Sequence, residues 1–172
     1  MNFIIRIGKP GLDLIKEFES LQLKPYLCPA GVPTIGYGST YYEDGKTVTL
    51  KDKEITAKRA EELLMNTLAM YEKTVATFVQ TTINGHQFDA LVSFCFNVGV
   101  SAFKNSTLLK KVNSIPNDPS IEFEFLKWCK VDGANNGIDD DNDGEVDEKG
   151  EKRILKGLLK RRQAEAKLYF SK

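Results

Sequence analysis

The chain has 172 residues, 41% of them hydrophobic and 28% charged, with 24 basic and 24 acidic side chains. That length and apolar content exclude wholesale disorder and suit a single domain, at most one of two lobes. The formal net charge of zero excludes a polyelectrolyte on average, yet the charges are unevenly placed.

Residues 132–151 hold nine acids and one lysine, a balance of −8, so the rest of the chain carries +8. A basic body with a separate acidic device suits an anionic partner: nucleic acid, an acidic membrane or an anionic cell-wall polymer. Cys28, Cys95 and Cys129 are odd in number and show no CxxC spacing, which excludes a zinc signature and a small-protein disulfide framework. Cys95 and Cys129 read as free thiols in apolar sites. The apolar run Phe3–Ile5 is too short for a membrane span or a signal-peptide core, so no integral membrane segment is expected.

In chain order, "KPGLDLIKEFESL" places Leu12, Leu14, Ile15, Phe18 and Leu21 on one broad helical face, with Pro10 in the first turn. "LKPYLCPAGVPTIGYGST", with Pro25, Pro29, Pro33, Gly31, Gly36 and Gly38, cannot be helical and predicts two or three short strands joined by tight turns. "EDGKTV" predicts a hairpin turn at Asp44 and Gly45. A long helix follows over about 51–78, rich in Ala, Glu, Lys and Leu, able to act as a strut between lobes. "INGHQFDALVSFCFNVG" reads as a buried helix with Asn84 as N-cap and Gly99 as stop. "NSTLLKKVN" is a short helix capped at Asn105 or Ser106. "DPSIEFEFLKWC" starts with Pro119 near its first turn and buries Ile121, Phe125 and Trp128, and "LKGLLKRRQAEAKLYF" forms the last helix. The fold class is therefore α+β, mostly α, with the sheet confined to the N-terminal third.

One spacing carries chemistry. Glu19 ends the first helix, Cys28 follows after eight residues and Thr34 after five more. A turn from helix to strand can set all three around one groove. A carboxylic acid beside apolar groups keeps its proton toward neutrality and can protonate the leaving oxygen of a glycosidic bond. A thiol on the opposite face can attack, or activate a water that a Thr hydroxyl holds. Spacing alone also fits a solvent-facing Glu, a strand-filling Cys and a Thr chosen for β propensity.

The surrounding wording separates these readings. "LIKEFESLQLKPYLCPAGVPTIGYGST", "QFDALVSFCFNVGVSAFKNSTLLKKVN", Trp128 in "LKWCKVDG" and "GLLKRRQAEAKLYF" resemble, in order, the blocks of the phage-type lysozymes, bacteriophage endolysins that cleave peptidoglycan. The resemblance covers nearly the whole chain except the acidic stretch. It implies one lysozyme-like, two-lobed domain over 1–172: a small lobe with the sheet and the connecting helix over about 1–80, and a helical lobe over about 81–172 with an acidic insertion at 132–151. It implies a monomeric muramidase that hydrolyses the β-1,4 bond between N-acetylmuramic acid and N-acetylglucosamine, with peptidoglycan and no nucleic acid as partner and no cofactor in catalysis. Such an enzyme is made in the bacterial cytoplasm and acts on the wall in the periplasm or outside the cell.

Residue by residue, Glu19 resembles the catalytic acid. Cys28 stands where many members have Asp and so resembles a thiol subclass, and Thr34 resembles the residue that orients the water. Gly36, Tyr37 and Gly38 resemble the sheet edge lining the sugar groove, Phe96 and Ser106 resemble groove positions of the helical lobe, and Arg161 or Arg162 resembles the basic partner of the acid. Ser39 departs from the His that many relatives carry after "GYG", and no N-terminal signal anchor of the kind some thiol members have is visible. Two rival functions are a lytic transglycosylase using the same Glu and a catalytically dead wall-binding module. Cys28 and Thr34 argue against the first, which needs no water activator, and retention of all three of Glu19, Cys28 and Thr34 argues against the second.

"DDDNDGEVDEKGE" departs from the family. Asp139, Asp141 and Asp143 before Gly144 match the first half of an EF-hand-type calcium loop, with Glu145 offering a backbone carbonyl and Asp147 the ninth-position ligand. The twelfth position is Gly150 rather than Glu, so the closing bidentate ligand is missing, with Glu148 or Glu151 as its substitute. A structural calcium site is expected here, with a solvated acidic loop as the alternative.

Overall fold

Helix α1 (Lys9–Phe18) opens the computed structural model, which describes residues 6–132 and 152–171. Pro10 sits in its first turn, where no intrahelical N–H is needed. Leu14 and Ile15 are buried, and the helix ends where Glu19 turns extended, its N–H still donating to the Ile15 carbonyl at 3.0 Å. Strand β1 (Gln22–Leu27) then pairs antiparallel with β2 (Pro33–Gly36), Tyr26 opposite Thr34 and Leu27 opposite Pro33. The turn between them is closed by Cys28 N–H to Val32 O at 3.0 Å and Gly31 N–H to Cys28 O at 2.8 Å. Single bridges at Ile35–Ser39 and Tyr41–Thr47 carry extended chain through the turn at Asp44 and Gly45.

The long helix α2 (Ala57–Phe78) starts later than the sequence suggests. Thr56 caps it, its Oγ1 accepting from Arg59 N–H, while Asp52 accepts from the Thr49 N–H and hydroxyl and folds residues 49–52 into a turn. At 22 residues it is roughly 33 Å long. Its Leu63 joins a small core with Ile35 and Val48, whereas Leu64, Leu68 and Val75 join the large one. One helix is thus sealed into two apolar clusters.

The buried helix α3 (Gly85–Val98) has a full capping box between Asn84 and Gln87, and Gly99 ends it. A short α4 (Val100–Asn105), unforeseen in the sequence, precedes α5 (Thr107–Ser114) and α6 (Ile121–Leu126). A tight turn at Lys127–Cys129 leads into β3 (Lys130–Asp132), which pairs antiparallel with β4 (Lys152–Ile154) before α7 (Lys156–Tyr169). This second ribbon corrects the expectation that sheet is confined to the N-terminal third. Three-residue strands are too short for an alternation to show in the sequence.

The large core centres on Phe94, packed edge-on against Phe103, Phe125 and Trp128 at centroid distances of 6.5, 5.5 and 5.5 Å. Full burial of each such side chain contributes about 1.5–3 kcal/mol. The architecture is α+β and mostly α.

Candidate active site

Glu19 is placed by the end of α1. Because the helix stops at Phe18, the Glu19 side chain leaves the helix face and meets α7, where Arg161 Nη1 donates to its Oε1 at 2.6 Å. The guanidinium is itself nearly buried, 4% exposed against 27% for Glu19, and lies over the Phe18 ring at 5.8 Å. Charge-assisted contacts of this kind fix direction as well as distance. Among the described residues, Glu19 Oε2 makes no hydrogen bond, which leaves one carboxyl oxygen for a ligand.

Arg161 is held in turn. Its Nε donates to Glu165 Oε1 at 3.2 Å, and the Ser93 hydroxyl donates to the same oxygen at 2.8 Å. Arg162, fully buried, points Nη2 at Asn97 Oδ1, 2.6 Å away, and stacks over Phe94 at 5.0 Å. Burial pushes the Glu165 carboxyl up and the Arg162 guanidinium down, and their mutual attraction opposes both shifts. Of the two arginines that the sequence leaves open, Arg161 is the partner of Glu19.

Two cavities meet at Glu19. One, of about 420 Å³, runs from Tyr37, Gly38 and Tyr41 across α2 at Met70 and Tyr71 to Phe96 and Asn97. The other, of about 430 Å³, lies between Phe18, Asn97 and the start of α7 at Leu155–Leu158 and Arg161. Both volumes suit a small ligand or a few sugar rings, and Glu19 and Asn97 border both. A further cavity, about 550 Å³ between Pro119 and Phe170, touches none of these residues.

Cys28 and Thr34 share the β1–β2 hairpin. The backbone amides of Val32 and Ala30, with the Thr34 hydroxyl beside them, hold the Cys28 thiol below its ordinary range. Thr34 is buried, and its hydroxyl donates to Val32 O at 2.9 Å. Neither residue lines the two cavities. They stand on the hairpin that follows Glu19 in sequence.

Tyr37, Gly38 and Phe96 line the groove as the sequence implies, Phe96 edge-on to Tyr71 at 5.2 Å. Gly36 and Ser106 do not. Gly36 is buried with φ +67°, and a Cβ there would lie 3.3 Å from Ala60 Cβ, so it serves the close approach of β2 to α2. The Ser106 hydroxyl accepts from Leu109 N–H and donates to Phe103 O, capping α5. Asn97, Tyr41, Met70 and Tyr71 are groove residues that the sequence reading missed. Asn97 had a signal, a lone amide in an otherwise apolar helix end. Asp139, Asp141, Asp143, Glu145 and Asp147 lie outside the described residues, and among the described residues no cluster could hold a metal ion.

The pattern of the family described as phage lysozyme matches residues 16–165. An endolysin of Acyrthosiphon pisum secondary endosymbiont phage 1 is 36% identical over 97% of this chain and 99% of its own. The solved endolysin from Escherichia coli O157:H7 phage FAHEc1 superposes with a TM-score of 0.80 at 32% identity, covering 99% of this chain and 97% of that one. The muramidase domain of SpmX from Asticaccaulis excentricus superposes with a TM-score of 0.76 at 30% identity, covering 97% of this chain and 99% of that one.

Proposed function

From the premise that the chain belongs to the phage lysozyme family, we propose that Glu19 is the proton donor and Cys28 and Thr34 the water-activating pair of its reaction. The protein is a glycoside hydrolase, a lysozyme that degrades peptidoglycan in the bacterial cell wall. The bond cut is the β-1,4 link from N-acetylmuramic acid to N-acetylglucosamine.

The observation that carries the assignment is the position of Glu19. It stands at the junction of two cavities, with one carboxyl oxygen fixed by Arg161 and the other without a protein partner among the described residues. A strand laid along both cavities brings a glycosidic oxygen to that free side. Glu19 gives its proton to this oxygen as the bond to the anomeric carbon breaks. A water on the opposite face of the ring forms the new bond and passes its proton to the Cys28 thiolate, with Thr34 holding the water. Direct attack by Cys28 is the second route, favoured by its lowered thiol. The two differ in product: a single displacement inverts the anomeric centre, and a covalent intermediate retains it.

Glu19→Gln keeps an oxygen for Arg161 and removes the acid. Turnover on purified cell walls falls by about 10²–10⁴-fold, the usual worth of a general acid, while the melting temperature stays near wild type. Comparable lysis by the variant would sink the assignment. The product gains one water under hydrolysis and none under transglycosylation, which mass measurement reads directly.

The finer setting belongs to the same proposal: a monomer made in the bacterial cytoplasm that reaches the wall in the periplasm or outside the cell. Among the described residues no helix is long and apolar enough to cross a membrane. The acidic stretch around Asp139–Asp147 is proposed to bind calcium as a structural ion, with no part in bond cleavage.

A further inference from the structure

Helix α3 is apolar along most of its length, yet it carries buried Asp89 and Ser93 and exposed Asn97 at four-residue intervals. Residues four apart share one helix face. Each member of this stripe grips another element of the site. Ser93 bonds Glu165, which orients Arg161, and Asn97 bonds Arg162. Asp89 reaches the opposite end of the molecule's first helix.

There it supplies what α1 lacks. The N-cap of α1 is Gly8, which has no side chain to satisfy the first amides. Asp89 Oδ1 accepts from Gly8 N–H at 2.8 Å and Oδ2 from Gly11 N–H at 3.1 Å. Pro10, between them, has no N–H to satisfy. A carboxylate at a helix N-terminus also meets the positive end of the helix dipole. The contact leaves no slack: a Cβ at Gly11 would lie 2.6 Å from Asp89 Cβ and 2.7 Å from Ile7 Cγ1. A second buried carboxylate, Glu72 on α2, takes Ile7 N–H at 2.9 Å and Arg6 at 3.0 Å.

We propose that Asp89 is a positioning residue for catalysis: by capping α1 from outside, it sets the axial position and rotation of that helix, and thereby places Glu19, the residue after its last turn, against Arg161. The circuit is closed. Asp89 fixes the start of α1, α1 delivers Glu19 to Arg161, Glu165 holds Arg161, and Ser93 returns the chain of contacts to α3 one turn from Asp89. A ten-residue helix gripped at both ends transmits a small displacement at Asp89 to the carboxylate at the far end. The inference rests on Glu19 being the acid.

The test is steady-state kinetics on a soluble peptidoglycan oligomer, well below the melting temperature. Asp89→Asn replaces one accepting oxygen by a donor that faces the α1 amides. Gly11→Ala reaches the same contact from α1 and leaves the Asp89 side chain in place, so it serves where Asp89→Asn does not fold. Either variant lowers kcat about tenfold with KM within twofold, because misplacing a catalytic group costs turnover before binding. In an Arg161→Lys background the same substitution costs less than a further twofold, since the alignment it protects is already lost. A variant that melts earlier yet keeps wild-type kcat overturns the proposal, as does an unchanged tenfold loss in the Arg161→Lys background. Full activity of Glu19→Gln would instead defeat the assignment of the acid itself, so the two failures are distinct.

Discussion

Three thiols in one chain meet three surroundings. Cys95 is fully buried and pushed up to about 12 by desolvation, and Cys129 is buried as well. Cys28 is half-exposed in a turn whose amides favour the thiolate. A thiol lowered from its ordinary value is more ionised at any given pH, and the thiolate is the reactive form. Iodoacetamide followed by peptide mass mapping is therefore expected to modify Cys28 first, with a pH midpoint below that of a free cysteine peptide, and to leave Cys95 unmodified in the folded protein. Lysis falls in step with this modification. Cys28→Ser lowers activity by about 10²-fold or more, while Cys28→Asp, which restores an ionised group, retains a measurable part. Wild-type activity in Cys28→Ala would reduce the thiol to packing.

At the scale of elements, the same serine serves either a sugar or a helix, and the two roles predict different losses. Ser106 spends both its donor and its acceptor on the α4–α5 junction. Ser106→Ala should cost about 1 kcal/mol of stability, the usual worth of an N-cap, and leave KM unchanged. A raised KM at unchanged stability would return Ser106 to the groove. The element boundaries that were legible in the sequence are those written in local chemistry: the Asn84–Gln87 capping box, the stop at Gly99, the turn at Asp44 and Gly45. Those that were not are set by tertiary contacts. Residues 51–55 carry helix-forming side chains, yet Ile55 N–H bonds Leu23 O and Asp52 folds back on Thr49, so α2 waits for Thr56. The β3–β4 ribbon is invisible for a similar reason, because its pairing joins residues some twenty positions apart. Of the proposed site, Glu19, Cys28 and Thr34 were singled out by spacing and family wording, and of these Glu19 borders the two cavities. The polar stripe on α3 was hidden inside a sequence that reads as apolar.

For the molecule as a whole, the charge division is the feature that the fold leaves unspent. Residues 132–151 hold −8 and the remainder +8. The basic remainder suits an anionic wall polymer. In the proposed calcium site, the alternate spacing of Asp139, Asp141, Asp143 and Asp147 would crowd like charges without a cation and supply oxygen ligands with one. The Gly at position twelve removes the strongest ligand, which places affinity near that of extracellular modules, roughly 10⁻⁴ to 10⁻³ M. About 10 mM calcium then exceeds Kd by about ten- to a hundredfold. Binding to the native state alone adds about 1.4–2.7 kcal/mol. For a chain of this size each kcal/mol moves the midpoint by about 2–4 °C, so calcium should raise the melting temperature by about 3–10 °C. Asp141→Ala should abolish that increment. Hydrolysis at low temperature should persist in chelator, because neither Glu19 nor Cys28 needs the ion. A titration calorimeter that records no heat beyond dilution across this range, with a midpoint indifferent to calcium, would make the stretch a solvated acidic loop.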